Sequence, residues 1–384
     1  MQKHRMAVIG CGALSQGVHL PNAQKNPRVE LVCACDINRS VADQCCAKFG
    51  AQRAESDWHK VVEAKDIDLI VLGTQHNIRG EVIIPALHHR KPVYTEKPLA
   101  PSHKEMFDIV YASRETKVPV CVGHNRRSSP AILEFIRLLD KARQTQSATL
   151  PSVDRSAERK RIAEEKQTQL LIRVNDDIRS WKGWIFRDEE GIFFAEMVHF
   201  IDLALLFNHS WPVRVFAEGS ARGNFTMILR FADGSITTLF HSMVGNFDYP
   251  KELIEATVHN VTIAMDQHIE VRQCGLKDER NLQTFPYAEG CDWAAEQGMT
   301  GYFHEQAGEY LRAEKAGEKP RWLNVNKGHY AHMDRFLDHL EGHGPNPNDV
   351  ESAVPVNLIA LKLLASVRSG LPVAIGPEDW QIPE

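Results

Sequence analysis

The sequence predicts an α/β protein of two domains: an N-terminal doubly wound parallel sheet, then an α+β domain built on a large, open, mostly antiparallel sheet. Three observations predict it. From Met6 to about Val122, the short apolar runs MAVIG, VELVCAC, IDLIVLG, KPVYTE and VPVCVG alternate with helical stretches, the pattern of strands covered on both faces by crossover helices. Beyond Pro130 the strand-like runs QLLIRVN, VRVFAEG, FTMILRF, SITTLFH, ELIEATV, VTIAMD and HIEVRQ follow with little helix between them, which reads as an antiparallel sheet. With 384 residues, 43% of them hydrophobic, the chain can fill two cores.

Taken in order, MQKHRMAVIGCG enters its first strand without a secretory apolar region, so a cytoplasmic protein is expected. The polar stretch TQSATLPSVDRSAERKRIAEEKQTQ reads as a surface excursion, and the DGS between FTMILRF and SITTLFH as a hairpin turn. One long helix is expected from about Phe193 to Phe207, with others near 295–315, 328–341 and 351–369. No apolar run is expected to reach the roughly 20 residues that span a bilayer. The net charge of -5, with acids and bases mixed, offers no field for nucleic acid or an anionic membrane, which leaves a small molecule as the partner. The eight cysteines show no paired CxxC spacing and read as buried reduced thiols, with no disulfide framework or zinc site.

The segment MAVIGCGALSQGVHLP places Gly10 and Gly12 between a buried-type strand and a helix, with Ser15 where a third glycine often lies. A turn without a β-carbon at Gly10, and close backbone approach at Gly12, let a pyrophosphate sit on the helix N-terminus. This is the Rossmann fingerprint. Asp36 ends the second strand about 20 residues on, where a carboxylate accepts ribose hydroxyls and repels a 2′-phosphate, so NAD is expected rather than NADP. Arg39 nearby either softens that preference or is an exposed helix residue.

TEKPLA sets Glu96, Lys97 and Pro98 at the carboxyl end of a later strand, the edge where open α/β sheets bind ligands. A lysine there either shares its proton with a substrate oxygen during hydride transfer or makes a loop salt bridge. His199, in the apolar helix FFAEMVHFIDLALLF, is by itself either functional or a satisfied core histidine. Trp181 and Trp184 read equally as sugar-stacking platforms and as core anchors. His88 with His89, and His329 with His332, read as solvated or packed.

The ordered series GCGALSQGVHLP, TEKPLA, GHNRRSSP and the helix carrying His199 resembles the glucose–fructose oxidoreductase, inositol dehydrogenase and MocA (Gfo/Idh/MocA) family over nearly the whole chain. RVN at 173–175, GIFFAEMVHFIDLALLF at 191–207 and NKGHYAHMDRFLDHL are most similar to a sugar-modifying branch. The resemblance implies an NAD-binding domain over 1–123 and a substrate and oligomerisation domain over 124–384, with the helix 351–369 packing back toward the first, and homodimers or homotetramers formed through the sheet face. It implies a cofactor site of Gly10, Cys11, Gly12, Ala13, Leu14, Asp36, Arg39, Thr74, His76, Glu96, Lys97 and Asn125. It also implies that Lys97 and His199 are the acid/base pair, and that Arg127, Arg173 and Trp184 line the substrate pocket. The chain departs from the commoner pattern by carrying Ala195 where an aspartate stands one turn before the histidine, so Glu196, three residues before His199, is expected to substitute for it at catalysis and in the pocket. No second Glu–His pair is visible, so no metal is expected.

Three functions fit these motifs. The first is NAD-dependent hydride transfer at a secondary alcohol carbon of a sugar, sugar derivative or polyol. The second is a redox-neutral, NAD-dependent glycosidase or lyase that oxidises transiently and eliminates. The third is a dinucleotide-binding regulator without turnover, against which Lys97 and His199 argue.

Overall fold

The structure, a computed structural model, describes residues 3–145, 167–181, 191–246, 249–287, 292–318, 325–379 and 381–382. The chain forms two compact units. The first comprises Met1–Asn125, His329–Leu358 and Glu378–Glu384, and the second Arg126–Gly328 and Ile359–Pro377.

In the first unit six parallel strands, β1 (His4–Ile9), β2 (Val29–Cys35), β3 (Arg53–Glu55), β4 (Leu69–Leu72), β5 (Val93–Thr95) and β6 (Val120–Val122), lie in the order β3-β2-β1-β4-β5-β6. The expected doubly wound sheet is present. The apolar runs are continuous because side chains of alternate residues serve two different cores. Ala7, Ile9, Ile70 and Leu72 pack on one face, and Met6, Val8, Leu69 and Val71 on the other.

Two segments distant in sequence complete these cores. Met333, Phe336 and Leu337 of the helix His329–Leu340 join the second cluster, and Val350, Ala353, Val354 and Leu358 join the first. The division therefore differs from the expected 1–123 and 124–384, because the amphipathic helix His329–Leu340 buries its apolar stripe on the N-terminal sheet. The helix Val350–Ser369 has a mean hydropathy of 1.5 and is long and apolar enough to cross a membrane, contrary to expectation, but 72% of that stretch is buried within the protein.

The second unit holds a nine-stranded sheet: β7 (Gln169–Asn175), β8 (Pro212–Ser220), β9 (Asn224–Phe231), β10 (Ile236–Ser242), β11 (Glu252–Val258), β12 (Val261–Asp266), β13 (Glu270–Cys274), β14 (Leu282–Thr284) and β15 (Val373–Ala374). Its order is β14-β13-β12-β11-β7-β10-β9-β8-β15, antiparallel throughout except for the pair β7 and β10. Phe225, Met227, Leu229 and Phe231 face the core and the residues between them face out, the period-two pattern of a sheet covered on one side. The Asp233–Ser235 turn closes β9 onto β10, with Gly234 at a φ of 90° and the Ser235 N–H donating to Asp233 at 3.0 Å.

The expected long helix opens as a π-helical turn, Phe193–Met197, and continues as the α-helix Val198–Phe207. Phe193 stacks on Phe225 at 5.3 Å, which seats this segment on the covered face of the sheet. Of the cysteines described, Cys11, Cys33, Cys35, Cys45 and Cys121 are buried, Cys274 is exposed, and none is in a disulfide. Burial pushes the Cys33 and Cys35 thiols up to about 12, so they stay protonated.

Candidate functional site

Parallel strands end on the same edge of a sheet, so the turns after β1, β2, β4, β5 and β6 carry Gly10, Asp36, Thr74, Glu96 with Lys97, and Asn125 to one rim of the first unit. The strand order reverses on either side of β1, and there the β1 and β4 turns touch. Gly10 has a φ of 88°, and a β-carbon on it would lie 2.8 Å from the carbonyl carbon of Gly73 and the nitrogen of Thr74. Around Gly12, by contrast, an added β-carbon meets nothing within 4 Å. That side of the turn is open. Ser15, buried where a third glycine often lies, donates its hydroxyl to the Gly10 carbonyl at 2.5 Å.

Gly10→Ala is expected to cost about 1–3 kcal/mol of stability through backbone strain and to displace the β4 turn. Urea unfolding and NAD+ titration by calorimetry measure the two effects.

Asp36 holds the backbone around it. Its Oδ2 accepts the Cys11 N–H at 2.9 Å and its Oδ1 the Asn38 N–H at 2.9 Å, so the carboxylate also holds the glycine turn. Arg39 is an exposed helix residue paired with Asp43 at 2.9 Å, the plainer of its two expected readings. Ala13 and Leu14 are exposed beside the turn, while Thr74 and His76 are half-buried after β4.

Arg79, which the motifs do not single out, is buried and donates to the Thr74 carbonyl at 3.0 Å and to the Pro98 carbonyl, tying the β4 turn to the Glu-Lys-Pro segment. Desolvation lowers its pKa to about 10 against the pull of Glu96 and Glu105, so it remains a cation at neutral pH. Lys97 is half-buried and its bond to Pro98 is cis, and Asn125 is buried. The open space at Gly12, the aimed carboxylate of Asp36 and the helix that follows fit a dinucleotide.

In the second unit a buried ionic network surrounds the π-helical turn before His199. Glu196 Oε1 accepts from Lys251 Nζ at 2.8 Å and Arg126 Nη2 at 3.2 Å. Lys251 also meets Asp176 at 2.8 Å, and Asp176 accepts the Trp181 indole N–H at 2.8 Å. Arg126 reaches Glu252 at 2.7 Å, and Glu252 accepts from Lys327 at 2.6 Å and His268 at 3.0 Å. Burial works against every charge here; for Lys251 the Glu196 and Asp176 carboxylates outweigh it and hold the ammonium above its ordinary range. His268 moves the other way, lowered mainly by burial despite Glu252.

Ser129 Oγ lies 2.9 Å from His268 Nδ1, so Ser129, His268 and Glu252 have the connectivity of a nucleophile, base and acid. All three are almost wholly buried and Ser129 Oγ also lies 3.0 Å from the Asn326 carbonyl, so the set is a brace rather than a site a substrate reaches.

The structure thus places Glu196 and His199 in one buried segment, and it gives Glu196 two cations to hold. Arg127 is gripped by Asp202, with Nη2 at 2.6 Å and Nε at 2.9 Å from each oxygen. Arg173 is on the other side of the sheet from the His199 helix. Its neighbours Ile172 and Val174 point into the covered face, so by strand alternation Arg173 points to the open one, where its guanidinium lies 4.8 Å from the Tyr249 ring. That placement contradicts a pocket shared by Arg173 and His199. Trp184 lies outside the described residues, as does most of the polar stretch after Thr145. Lys251, Asp176 and Glu252 were not legible as a set, because strands and a loop far apart in sequence bring them together.

Residues 4–124 match the model of an oxidoreductase family with an NAD-binding Rossmann fold, Gfo/Idh/MocA. The chain is similar to scyllo-inositol 2-dehydrogenase (NAD(+)) of Bacillus subtilis, 32% identical over 35% of this chain and 40% of that enzyme. It is also similar to myo-inositol 2-dehydrogenase of Thermotoga maritima, 22% identical over 65% of this chain and 71% of that one. The matches to the first three such relatives cover 40% to 45% of their length. In fold, the chain resembles a crystal structure of an oxidoreductase from Agrobacterium radiobacter in complex with NAD+, L-tartaric acid and magnesium, with a TM-score of 0.76, 15% identity, and 98% of this chain and all of that one covered. Over residues 4–124, the chain is therefore similar to the Gfo/Idh/MocA oxidoreductases, a family with an NAD-binding Rossmann fold.

Proposed function

We propose that this protein is an NAD-dependent oxidoreductase acting on a secondary alcohol carbon of a sugar, sugar derivative or polyol. One observation carries the reading: the carboxyl ends of five parallel strands gather the glycine turn, Asp36 and the Glu96–Lys97 pair on a single rim. The names of the inositol dehydrogenases similar to this chain favour a cyclic polyol.

A bound NAD would supply the hydride acceptor or donor for the alcohol carbon. The protein's own groups do the rest. Gly10, Cys11, Gly12, Ala13 and Leu14 seat the pyrophosphate, Asp36 takes the ribose hydroxyls, and Thr74, His76, Glu96 and Asn125 flank the cofactor. Lys97 Nζ, as the free amine, takes the hydroxyl proton as hydride leaves the carbon, and His199 is the second acid/base group. Glu196 anchors the turn before His199 through Lys251 and Arg126, and Arg127 is held ready by Asp202. Leu171, Ile228 and Phe240, partly exposed on the open face of the second sheet, support a homodimer or homotetramer formed through that face.

The test is to mix the protein with NAD+ and a panel of inositols, aldoses, sugar acids and glycosides, following NADH absorbance for wild type and His199→Ala. One NADH per substrate consumed, lost in the variant, is the expected result. A glycoside cleaved with no net NADH would replace this reading with the redox-neutral lyase, and NAD+ binding without any turnover would replace it with the regulator.

A further inference from the structure

His19 ends the π-helical turn Ser15–His19 that follows the glycine turn, and it is only 6% exposed. Its Nε2 lies 2.8 Å from Oε1 of Glu96, itself 5% exposed. An ionised carboxylate only accepts, so the imidazole N–H is the donor. Glu96 is fixed on its other sides as well. Its backbone N–H donates to the Leu72 carbonyl at 3.0 Å, and Gly123 packs so closely that a β-carbon there would lie 3.2 Å from Oε1. One buried hydrogen bond therefore joins the helix that begins at the cofactor turn to the residue preceding Lys97.

We propose that His19 is a positioning residue for Lys97: it holds Glu96 as a fixed, ionised carboxylate beside that lysine, and so governs when the lysine carries its proton. The inference rests on Lys97 being an acid/base group of the proposed reaction. Burial alone would raise the Glu96 pKa, but the His19 hydrogen bond and charge, with Lys97 and His329, bring it down to about 2. Arg79 and Tyr94 face the same carboxylate. The attraction between Glu96 and Lys97 is mutual, so the anion that Lys97 helps to ionise also favours the ammonium form of Lys97. Without a donor at position 19, burial of Glu96 is no longer offset by that hydrogen bond, so its carboxyl moves up from this low value and its support of the lysine weakens.

The test needs neither substrate nor cofactor. The full chain is labelled with trace acetic anhydride between pH 6 and 11, and acetylation of Lys97 is read by mass spectrometry. Glu96→Gln is expected to move the Lys97 midpoint down by about one pH unit, which is about tenfold faster labelling at a fixed pH below both midpoints. His19→Leu is expected to move it in the same direction, the double variant to add nothing beyond Glu96→Gln, and His19→Gln, which keeps an N–H toward the carboxylate, to stay near wild type.

A His19→Leu profile that superposes on wild type while Glu96→Gln shifts overturns the proposal, as does an unshifted Glu96→Gln. Should His19→Leu not fold, Glu96→Gln against His19→Gln decides. A lowered midpoint in the first with a wild-type midpoint in the second supports it, and any other pairing overturns it. A shifted midpoint with no turnover on the polyol panel defeats the proposed reaction and leaves this coupling standing. Turnover with an unshifted midpoint does the reverse.

Discussion

Lys97→Met is expected to lower turnover of the alcohol substrate by about 10²–10⁴-fold, the usual contribution of one proton-transferring group, while NAD+ affinity stays within about threefold. Methionine keeps the length and the apolar stem but has no titratable nitrogen. The glycine turn, Asp36 and the Arg79 clasp between Thr74 and Pro98 do not depend on the ammonium, so the cofactor rim should persist. Steady-state kinetics on the active polyol, paired with calorimetric NAD+ titration, separates the two quantities. A fall in kcat matched by an equal fall in NAD+ affinity would mean that Lys97 holds cofactor rather than protons. A kcat within about threefold of wild type would remove it from the chemistry altogether.

The largest effect on stability is expected from Glu252→Leu, about 3–5 kcal/mol, seen as a Tm lower by on the order of 10 °C. Glu252 is fully buried and accepts from Arg126 at 2.7 and 2.9 Å, Lys327 at 2.6 Å and His268 at 3.0 Å. Removing it takes that carboxylate away from buried Arg126, which keeps Glu196 at 3.2 Å, and from half-buried Lys327, and the charge left less compensated costs more than the pair interactions themselves contribute. Burial would raise its pKa, but Arg126, Lys327 and the His268 N–H drive it well below the ordinary value. A carboxyl whose folded pKa is depressed stabilises the protein above its unfolded pKa of about 4.3 and loses that contribution as pH falls below it. Wild type should therefore lose stability progressively below about pH 5, and the variant should lose less over the same range. Urea melts of both proteins between pH 3 and 8 measure the difference; parallel curves would show that Glu252 carries none of the acid sensitivity.

Much of the cofactor half was legible because its signals are local. Gly10 must adopt a positive φ against the β4 turn, a carboxylate must end the second strand, and a Glu-Lys-Pro must follow a buried strand. Each requirement leaves a mark within a few residues. Arg79 and His19 left none. An arginine at a helix start and a histidine after a glycine turn look ordinary until the ends of β4 and β5 bring Thr74, Pro98 and Glu96 to them. Arg173 shows the opposite failure, since its motif is plain but a one-residue alternation in β7 decides which face of the sheet it serves.

By itself the sequence determined the class of each domain and the rim of the first sheet, because strand period, glycine turns and strand-end residues are imposed by backbone sterics and burial over short distances. Only the tertiary structure decided that the helix His329–Leu340 covers the N-terminal sheet, and that Asp176, Glu196, Lys251, Arg126, Glu252 and Lys327 form one buried chain of charge. Apolar stripes and lone charges do not name their partners. What selects them is the cost of leaving a stripe in water or an ion unpaired in the interior, and that is settled when distant segments meet.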